Sequence, residues 1–151
     1  MVIDVVSLEM IKVGTITLEC DARKIYGPEI SSDIFISQIG RKNVEYLGLL
    51  CLDNTDRIIN YSTIAIGKIN EITIDIAQIF KVVLLTNASK FIIAHNHPSG
   101  VVTPTEQDIK LTKKIGQVAQ LLGVELVDSL IVSESDAFSI RSHVRKGRYD
   151  G

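Results

Sequence analysis

The 151-residue sequence contains no tryptophan, only three prolines and only two cysteines, and its basic and acidic residues almost balance. The lone cysteines, Cys20 and Cys51, form no disulfide framework and are explained as thiols of a reducing cytoplasm. No apolar run approaches the roughly 18–20 residues that a membrane helix needs, and residues 1–4 lack the basic start of a secretory signal. With a net charge of −2, the chain has no general attraction for nucleic acid. These absences predict a cytoplasmic protein that does not span a membrane, and they weigh weakly against direct nucleic-acid binding.

Hydrophobic residues make up 46% of the chain, which is enough for one well-packed domain over residues 1–151. Apolar periodicity and turn signals predict mixed secondary structure. The expected elements are strands over 10–18, 44–52, 57–66, 91–97, 124–132 and 138–141, and helices over 28–39, 74–86 and 104–122. The turn signal Asp-Asn-Thr-Asp at 53–56 predicts that two of these strands form a hairpin. The pattern therefore indicates one α+β or α/β/α sandwich-like domain.

The segment at 95–100 reads His-Asn-His-Pro-Ser-Gly and follows the short apolar run at 91–94. Because residues two apart on a strand point to the same side, His95 and His97 are expected to project together. Asp108 falls in the first turn of the next helix, from which its carboxylate could reach the end of the strand. Two imidazoles and one carboxylate leave a fourth zinc position open for water, as in catalytic zinc sites. The alternative is a polar turn without a metal.

The start of that helix carries its own signal. Thr103 is the expected N-cap, with Pro104 at the first helical position and Glu106 completing a capping box. Gly123 is expected to end the helix. The third histidine, His143, has no neighbouring ligand candidates and is expected at the surface.

Other metal-dependent classes fit less well. An HNH nuclease distributes its histidines and asparagine over a ββα unit instead of placing them consecutively. The His-x-Glu and Pro-Cys-x-x-Cys pattern of the zinc deaminases is absent. So is the His-Glu-x-x-His helix of the common metalloproteases.

The residues at 95–100, together with Thr105 and Asp108, resemble the JAMM signature of JAB/MPN+ metalloenzymes. The residue sequence HNHPSG resembles the one found in the RadC-like branch of that family. The resemblance extends over about residues 8–141, and it corresponds to the JAB domain alone, without the N-terminal helix-hairpin-helix region of full-length RadC proteins. It implies a single α+β domain in which a curved, mixed β-sheet packs against helices, related in layout to the cytidine deaminases.

The resemblance also implies roles for individual residues. His95, His97 and Asp108 match the ligand positions for one Zn²⁺ per chain. Glu45, followed by Tyr-Leu-Gly-Leu-Leu, matches the catalytic glutamate of an earlier strand. The alternatives are that Glu45 is an edge residue reaching solvent, or that Glu71 takes this role instead.

Thr105 stands where the signature normally has a serine that donates a hydrogen bond to the developing oxyanion. Threonine keeps the hydroxyl, but its extra methyl group and stiffer χ1 mean that the sequence does not determine where this hydroxyl points. The other interpretation is that Thr105 serves only the start of the helix.

The function implied by the resemblance is that of a zinc metallopeptidase or isopeptidase, in which Glu45 helps a metal-activated water to attack an amide bond. Two rival hypotheses are a DNA-repair-associated module with a structural or vestigial metal site and a partner-docking scaffold. The basic tail is either a phosphate-binding patch or a solvated terminus; it contains Arg141, Arg145, Lys146 and Arg148. The sequence specifies neither the peptide or protein substrate nor whether the chain is a monomer or a homodimer.

Overall fold

The computed structural model of the chain describes residues 1–18, 28–69 and 73–143. Its elements follow the order α1 (Pro28–Ile39), β1 (Tyr46–Leu52), β2 (Ile58–Ile66), α2 (Ile76–Leu85), β3 (Lys90–Asn96), α3 (Glu106–Leu122), β4 (Glu125–Val132) and β5 (Ala137–Ser139). Residues 140–143 are again helical. Together these elements confirm the predicted α+β fold, in which helices pack against a mixed β-sheet.

The five strands form one sheet in the order β2-β1-β3-β4-β5. Strands β3 and β4 run parallel, joined by the crossover helix α3, and the other neighbouring pairs are antiparallel. The β1–β2 hairpin turns where the sequence predicts it, because the Asp53 side chain accepts hydrogen bonds from the N–H groups of Thr55 and Arg57 at 2.8 and 3.0 Å.

Helices cover both faces of this sheet. Helices α2 and α3 pack on the face that carries Leu47, Leu49 and Phe91, and α1 packs on the opposite face with Leu50 and Ile92. Strands β1 and β3 are therefore buried on both sides, and this explains why each reads as a nearly continuous apolar run.

The predicted strand at 10–18 is wrong. Residues 10–18 have no regular secondary structure, and side chains such as Ile11 and Val13 are 82% and 98% exposed. Alternation of apolar residues makes a strand only when a neighbouring ladder satisfies the backbone groups. Residues 10–18 pair with none of the five strands in the described part of the chain.

The predicted strand at 138–141 is also misplaced. Strand β5 covers only Ala137–Ser139, and the backbone is helical from Ile140 to His143. The Arg141 guanidinium then folds back to donate hydrogen bonds to the carbonyls of Leu126 and Val127 on β4, so a helical turn takes the place of an extended end.

Two further features bear on the sequence predictions. Cys51 is a free, buried thiol, and burial raises its pKa to about 11; Cys20 lies outside the described residues. Among the helices of residues 28–69 and 73–143, none combines the length and apolarity that crossing a membrane requires.

Candidate metal centre

The two motif histidines meet at the C-terminal end of β3, a strand inside the sheet. His95 is 3% exposed and pairs across the sheet with Leu47 of β1. His97 lies just beyond the strand, and its Nε2 atom is 3.2 Å from the Nε2 atom of His95. The predicted projection of both rings to one side is therefore what the structure has.

Asp108 approaches both rings from the first turn of α3. Its Oδ1 atom is 3.1 Å from His95 Nε2, and its Oδ2 atom is 3.4 Å from His97 Nε2. Ligand atoms of a tetrahedral zinc site with bonds of about 2.0–2.1 Å lie about 3.3–3.4 Å from one another. The spacing of the two nitrogens and the carboxylate thus fits a zinc ion, although the ligand roles themselves stay predictions.

The turn after β3 sets the orientation of the His97 ring. Gly100 has a φ of +86°, a value that glycine adopts at little cost, and its N–H donates to the His97 carbonyl at 3.0 Å. The chain thereby returns so that the Val101 carbonyl lies 2.8 Å from His97 Nδ1. In a neutral imidazole Nδ1 then carries the proton, and the Nε2 lone pair points at His95 and Asp108.

Electrostatics around the three groups agree with a shared cation or proton. The hydrogen bond that the protonated His97 ring donates to the Asp108 carboxylate is the main reason that the pKa of His97 is raised. Burial acts to raise the pKa of the Asp108 carboxyl, but hydrogen bonds with His95 and His97 outweigh it and hold that pKa well below its usual value. Two nitrogen lone pairs and a carboxylate facing one another would repel without a positive charge between them, and a proton or a bound Zn²⁺ would supply such a charge.

The start of α3 differs from the sequence prediction, and the residue that begins it also orients the Asp108 side chain. The N-cap is Thr105, not Thr103: Thr105 Oγ1 accepts from the Asp108 N–H at 3.2 Å, and Asp108 Oδ2 accepts from the Thr105 N–H at 2.7 Å. This reciprocal pair is a capping box, and it replaces the one that Thr103 and Glu106 were expected to form. The carboxylate that completes the capping box is therefore that of Asp108 and not that of Glu106.

Glu45 lies just before β1, at the same end of the sheet. One of its carboxylate oxygens and one nitrogen from each of His95 and His97 all lie within 4.8 Å of one another. Its Oε2 atom accepts from the Ile69 N–H at 3.0 Å, and its carbonyl accepts from the Gly67 N–H at 2.8 Å. The structure therefore places Glu45 beside the histidines, as the sequence analysis expected.

Two ligand sets overlap at this site, since Glu45 with the histidines could also hold a metal. Asp108 also approaches both histidines, with Oδ1 3.1 Å from His95 Nε2 and Oδ2 3.4 Å from His97 Nε2, so either carboxylate could complete the set of ligands. With Asp108 as the third ligand, the Glu45 carboxylate would be left to act as a base toward a water molecule. The rival glutamate, Glu71, lies outside the described residues.

One polar residue at this end of the sheet was missed by the sequence analysis. Asn96, between the two histidines, is 0% exposed, and its side-chain amide hydrogen-bonds to the backbone on either side of Glu45. The signal available in the sequence was an amide on an otherwise apolar, doubly buried strand, where an unpaired polar group is costly. Which backbone groups it binds could not be known without the sheet order.

A mixed β-sheet with helices on both faces and a His-His-Asp cluster beside a glutamate defines an α+β domain with a candidate metal centre. Comparison with known families identifies it further: residues 25–146 match the family described as the RadC-like JAB domain. The chain belongs to that family, which confirms the resemblance drawn from the sequence.

Relatives over most of the chain carry the name UPF0758 protein. One from Finegoldia magna is 36% identical over 85% of this chain and 56% of its own length. One from Staphylococcus carnosus is 31% identical over 84% of this chain and 55% of its own length, and one from Alkaliphilus oremlandii is 27% identical over 92% and 60%. The chain thus spans little more than half the length of these relatives.

Proposed function

We propose that this domain is a zinc-dependent hydrolase of amide bonds, a metallopeptidase or isopeptidase of the JAMM type. The observation that supports the proposal is the convergence of His95, His97 and Asp108 at 3.1–3.4 Å. One carboxylate oxygen of Glu45 lies within 4.8 Å of the histidine nitrogens. Membership of the RadC-like JAB family supports the proposal, because the resemblance to the JAMM signature implies metal-ligand roles for the same residues.

The protein residues divide the work of the proposed reaction. His95, His97 and Asp108 would hold one zinc ion, which when bound supplies the Lewis acidity that makes water a nucleophile near neutral pH. Glu45 takes a proton from the attacking water and passes it to the leaving amine. The Ile69 N–H holds one oxygen of the Glu45 carboxylate at 3.0 Å, which restricts the orientation of this base. The Thr105 hydroxyl is the proposed donor to the oxyanion.

A metal analysis beside an activity screen tests the proposal. Protein purified without added zinc and without a histidine tag should contain about one zinc per chain, and His97→Ala should lose it, because one of three ligands is removed. Glu45→Gln should keep the metal and abolish turnover of any peptide or isopeptide that the wild type hydrolyses. Failure of the wild type to take up zinc offered under reducing conditions would refute the proposal.

The alternative is a RadC-like DNA-repair-associated or protein-interaction module with a structural or vestigial metal. Against a phosphate-binding tail, Arg141 is engaged with the carbonyls of Leu126 and Val127; Arg145, Lys146 and Arg148 lie outside the described residues. Zinc binding with no hydrolysis across a broad substrate panel would favour this alternative.

The cellular setting and partners complete the proposal. The free, buried thiol of Cys51 supports a reducing cytoplasmic location. A peptide or protein is the proposed substrate, and the chain is proposed to act as a monomer or homodimer. Its net charge of −2 weighs weakly against direct nucleic-acid binding.

A further inference from the structure

Asn96 uses all of its hydrogen-bonding groups on one backbone segment. Its Oδ1 atom accepts from the Tyr46 N–H at 2.7 Å, and its Nδ2 group donates to the carbonyls of Val44 at 2.9 Å and Lys42 at 3.3 Å. The residue is 0% exposed. Its side chain is therefore committed to the protein interior, and neither a metal nor a substrate would reach it.

These hydrogen bonds hold the backbone on both sides of Glu45. Val44 and Tyr46 are the immediate neighbours of Glu45, one on each side. The β1–β3 ladder ends at the pair Leu47–His95, so regular strand pairing does not extend to Glu45 on this side. Beyond the ladder, the Asn96 amide provides the attachment between β3 and the segment before β1. On the other side, the Gly67 N–H holds the Glu45 carbonyl at 2.8 Å.

We propose that Asn96 is a positioning residue that fixes the backbone of Glu45 relative to the two histidines. The same strand residue that separates His95 from His97 thereby sets the distance from the base to the metal ligands. An amide suits this task because it offers one acceptor and two donors. Aspartate would present oxygens to two carbonyls, and serine is too short to make all three bonds. The catalytic part of this inference rests on the proposed function.

The three hydrogen bonds from the Asn96 amide to Lys42, Val44 and Tyr46, here called the clamp, are tested on metal-free wild-type protein by NMR. Carboxamide protons of Asn96 should exchange at least about tenfold more slowly than those of the exposed Asn54, since the Asn96 side chain is 0% exposed and donates to two backbone carbonyls. This measurement needs no variant and no activity. Equal exchange rates for the two side chains would overturn the proposal.

Two variants, Asn96→Ser and Asn96→Ala, test what the clamp holds. Exchange of the Tyr46 amide should rise about tenfold relative to that of Leu49 within the same strand, and zinc stoichiometry should stay at one per chain. Asn60→Ala is the matched control. Asn60 lies on β2, in the same β1–β2 hairpin as Tyr46, and its side-chain amide donates to Thr86 Oγ1 at 3.1 Å. It should leave the Tyr46 amide unchanged, and an equal rise in that control would overturn the proposal.

The consequence for the base is tested by kinetics on folded, zinc-loaded protein. Asn96→Ser should lower kcat by up to about 100-fold, as expected for a group misplaced by about 1 Å, with KM within twofold. Asn60→Ala should leave both parameters unchanged. An unchanged kcat in Asn96→Ser, with the Tyr46 amide released, would overturn the positioning role. A wild type that binds zinc but hydrolyses nothing would instead refute the proposed function, and the exchange measurements would still decide whether the clamp exists.

Discussion

Thr105 has two candidate roles that the structure makes separable. Its Oγ1 atom caps α3 by accepting from the Asp108 N–H at 3.2 Å, while its hydroxyl proton remains available to an oxyanion. The change Thr105→Ala removes both. The change Thr105→Gly removes the hydroxyl but keeps a residue that is well tolerated at an N-cap.

The two roles differ in magnitude and in the quantity they affect. Loss of an N-cap side chain costs about 1 kcal/mol for alanine and a few tenths for glycine, and for a chain of this length 1 kcal/mol lowers Tm by about 2–4 °C. Loss of an oxyanion donor costs about 2.7–4 kcal/mol of barrier, a factor of about 10²–10³ in kcat. Thr105→Ser keeps the hydroxyl and should preserve both.

Thermal unfolding and kinetics of the zinc-loaded variants measure the two roles side by side. We expect Thr105→Ala to lose both stability and kcat, Thr105→Gly to lose mainly kcat, and Thr105→Ser to resemble the wild type. Thr103→Ala is the control for position, because the structure places Thr103 outside α3, and it should change neither quantity.

The pattern that would refute this reasoning is specific. If Thr105→Gly kept the wild-type kcat, Thr105 would not be the oxyanion donor and would only cap the helix and aim Asp108. If Thr103→Ala cost as much stability as Thr105→Ala, the capping box would be assigned to the wrong residues.

The remaining predictions concern pH and packing. In zinc-free protein the pKa of His97 is raised from 6.5, chiefly by Asp108, so its contribution to stability is present below pH 6.5 and lost as pH rises through the folded-state value. The lowered pKa of Asp108 adds stability above pH 3.8 that is lost as the pH falls toward the folded-state value. In EDTA, Tm should therefore be higher at pH 6 than at pH 9; the opposite order would contradict the His97–Asp108 contact. Zinc affinity should rise with pH over the same range, because the metal competes with protons for His97, and titration calorimetry at three pH values checks this. Gly40→Ala should destabilise the fold by about 1–3 kcal/mol, since a Cβ there would lie 2.5 Å from the Ser133 carbonyl oxygen. Gly116→Ala, whose Cβ would meet only Leu126 at 3.9 Å, should stabilise α3 by about 0.5–1 kcal/mol; denaturant unfolding that ranked the two variants the other way would contradict the packing described here.

Features that depend on short-range periodicity were predictable from residue order. The apolar run at 91–94 identified β3, and the period of two placed His95 and His97 on one side of it. The turn residues at 53–56 identified the β1–β2 hairpin. The motif around residues 95–108 identified the family, which the comparison with known families confirms.

Errors arose where a local pattern had more than one solution. Residues 10–18 alternate loosely, but a strand also needs a partner, and none of the described strands takes that place. Both Thr103 and Thr105 can cap a helix. Thr105 is the N-cap in the structure because the Asp108 carboxylate accepts a hydrogen bond from the Thr105 N–H at 2.7 Å.

What residue order determined, then, is the set of ligand candidates and the elements that carry them, because those depend on contacts within a few residues. Tertiary structure alone decided that Glu45 and Asp108 meet the histidines. Glu45 reaches them because β1 lies antiparallel beside β3 with Leu47 opposite His95, and Asp108 because α3 begins at the end of β3. The Asn96 contacts to Val44 and Tyr46 join residues about 50 positions apart. Such contacts depend on strand order and register, which burial of the whole core decides, so the residues near Asn96 do not identify its partners.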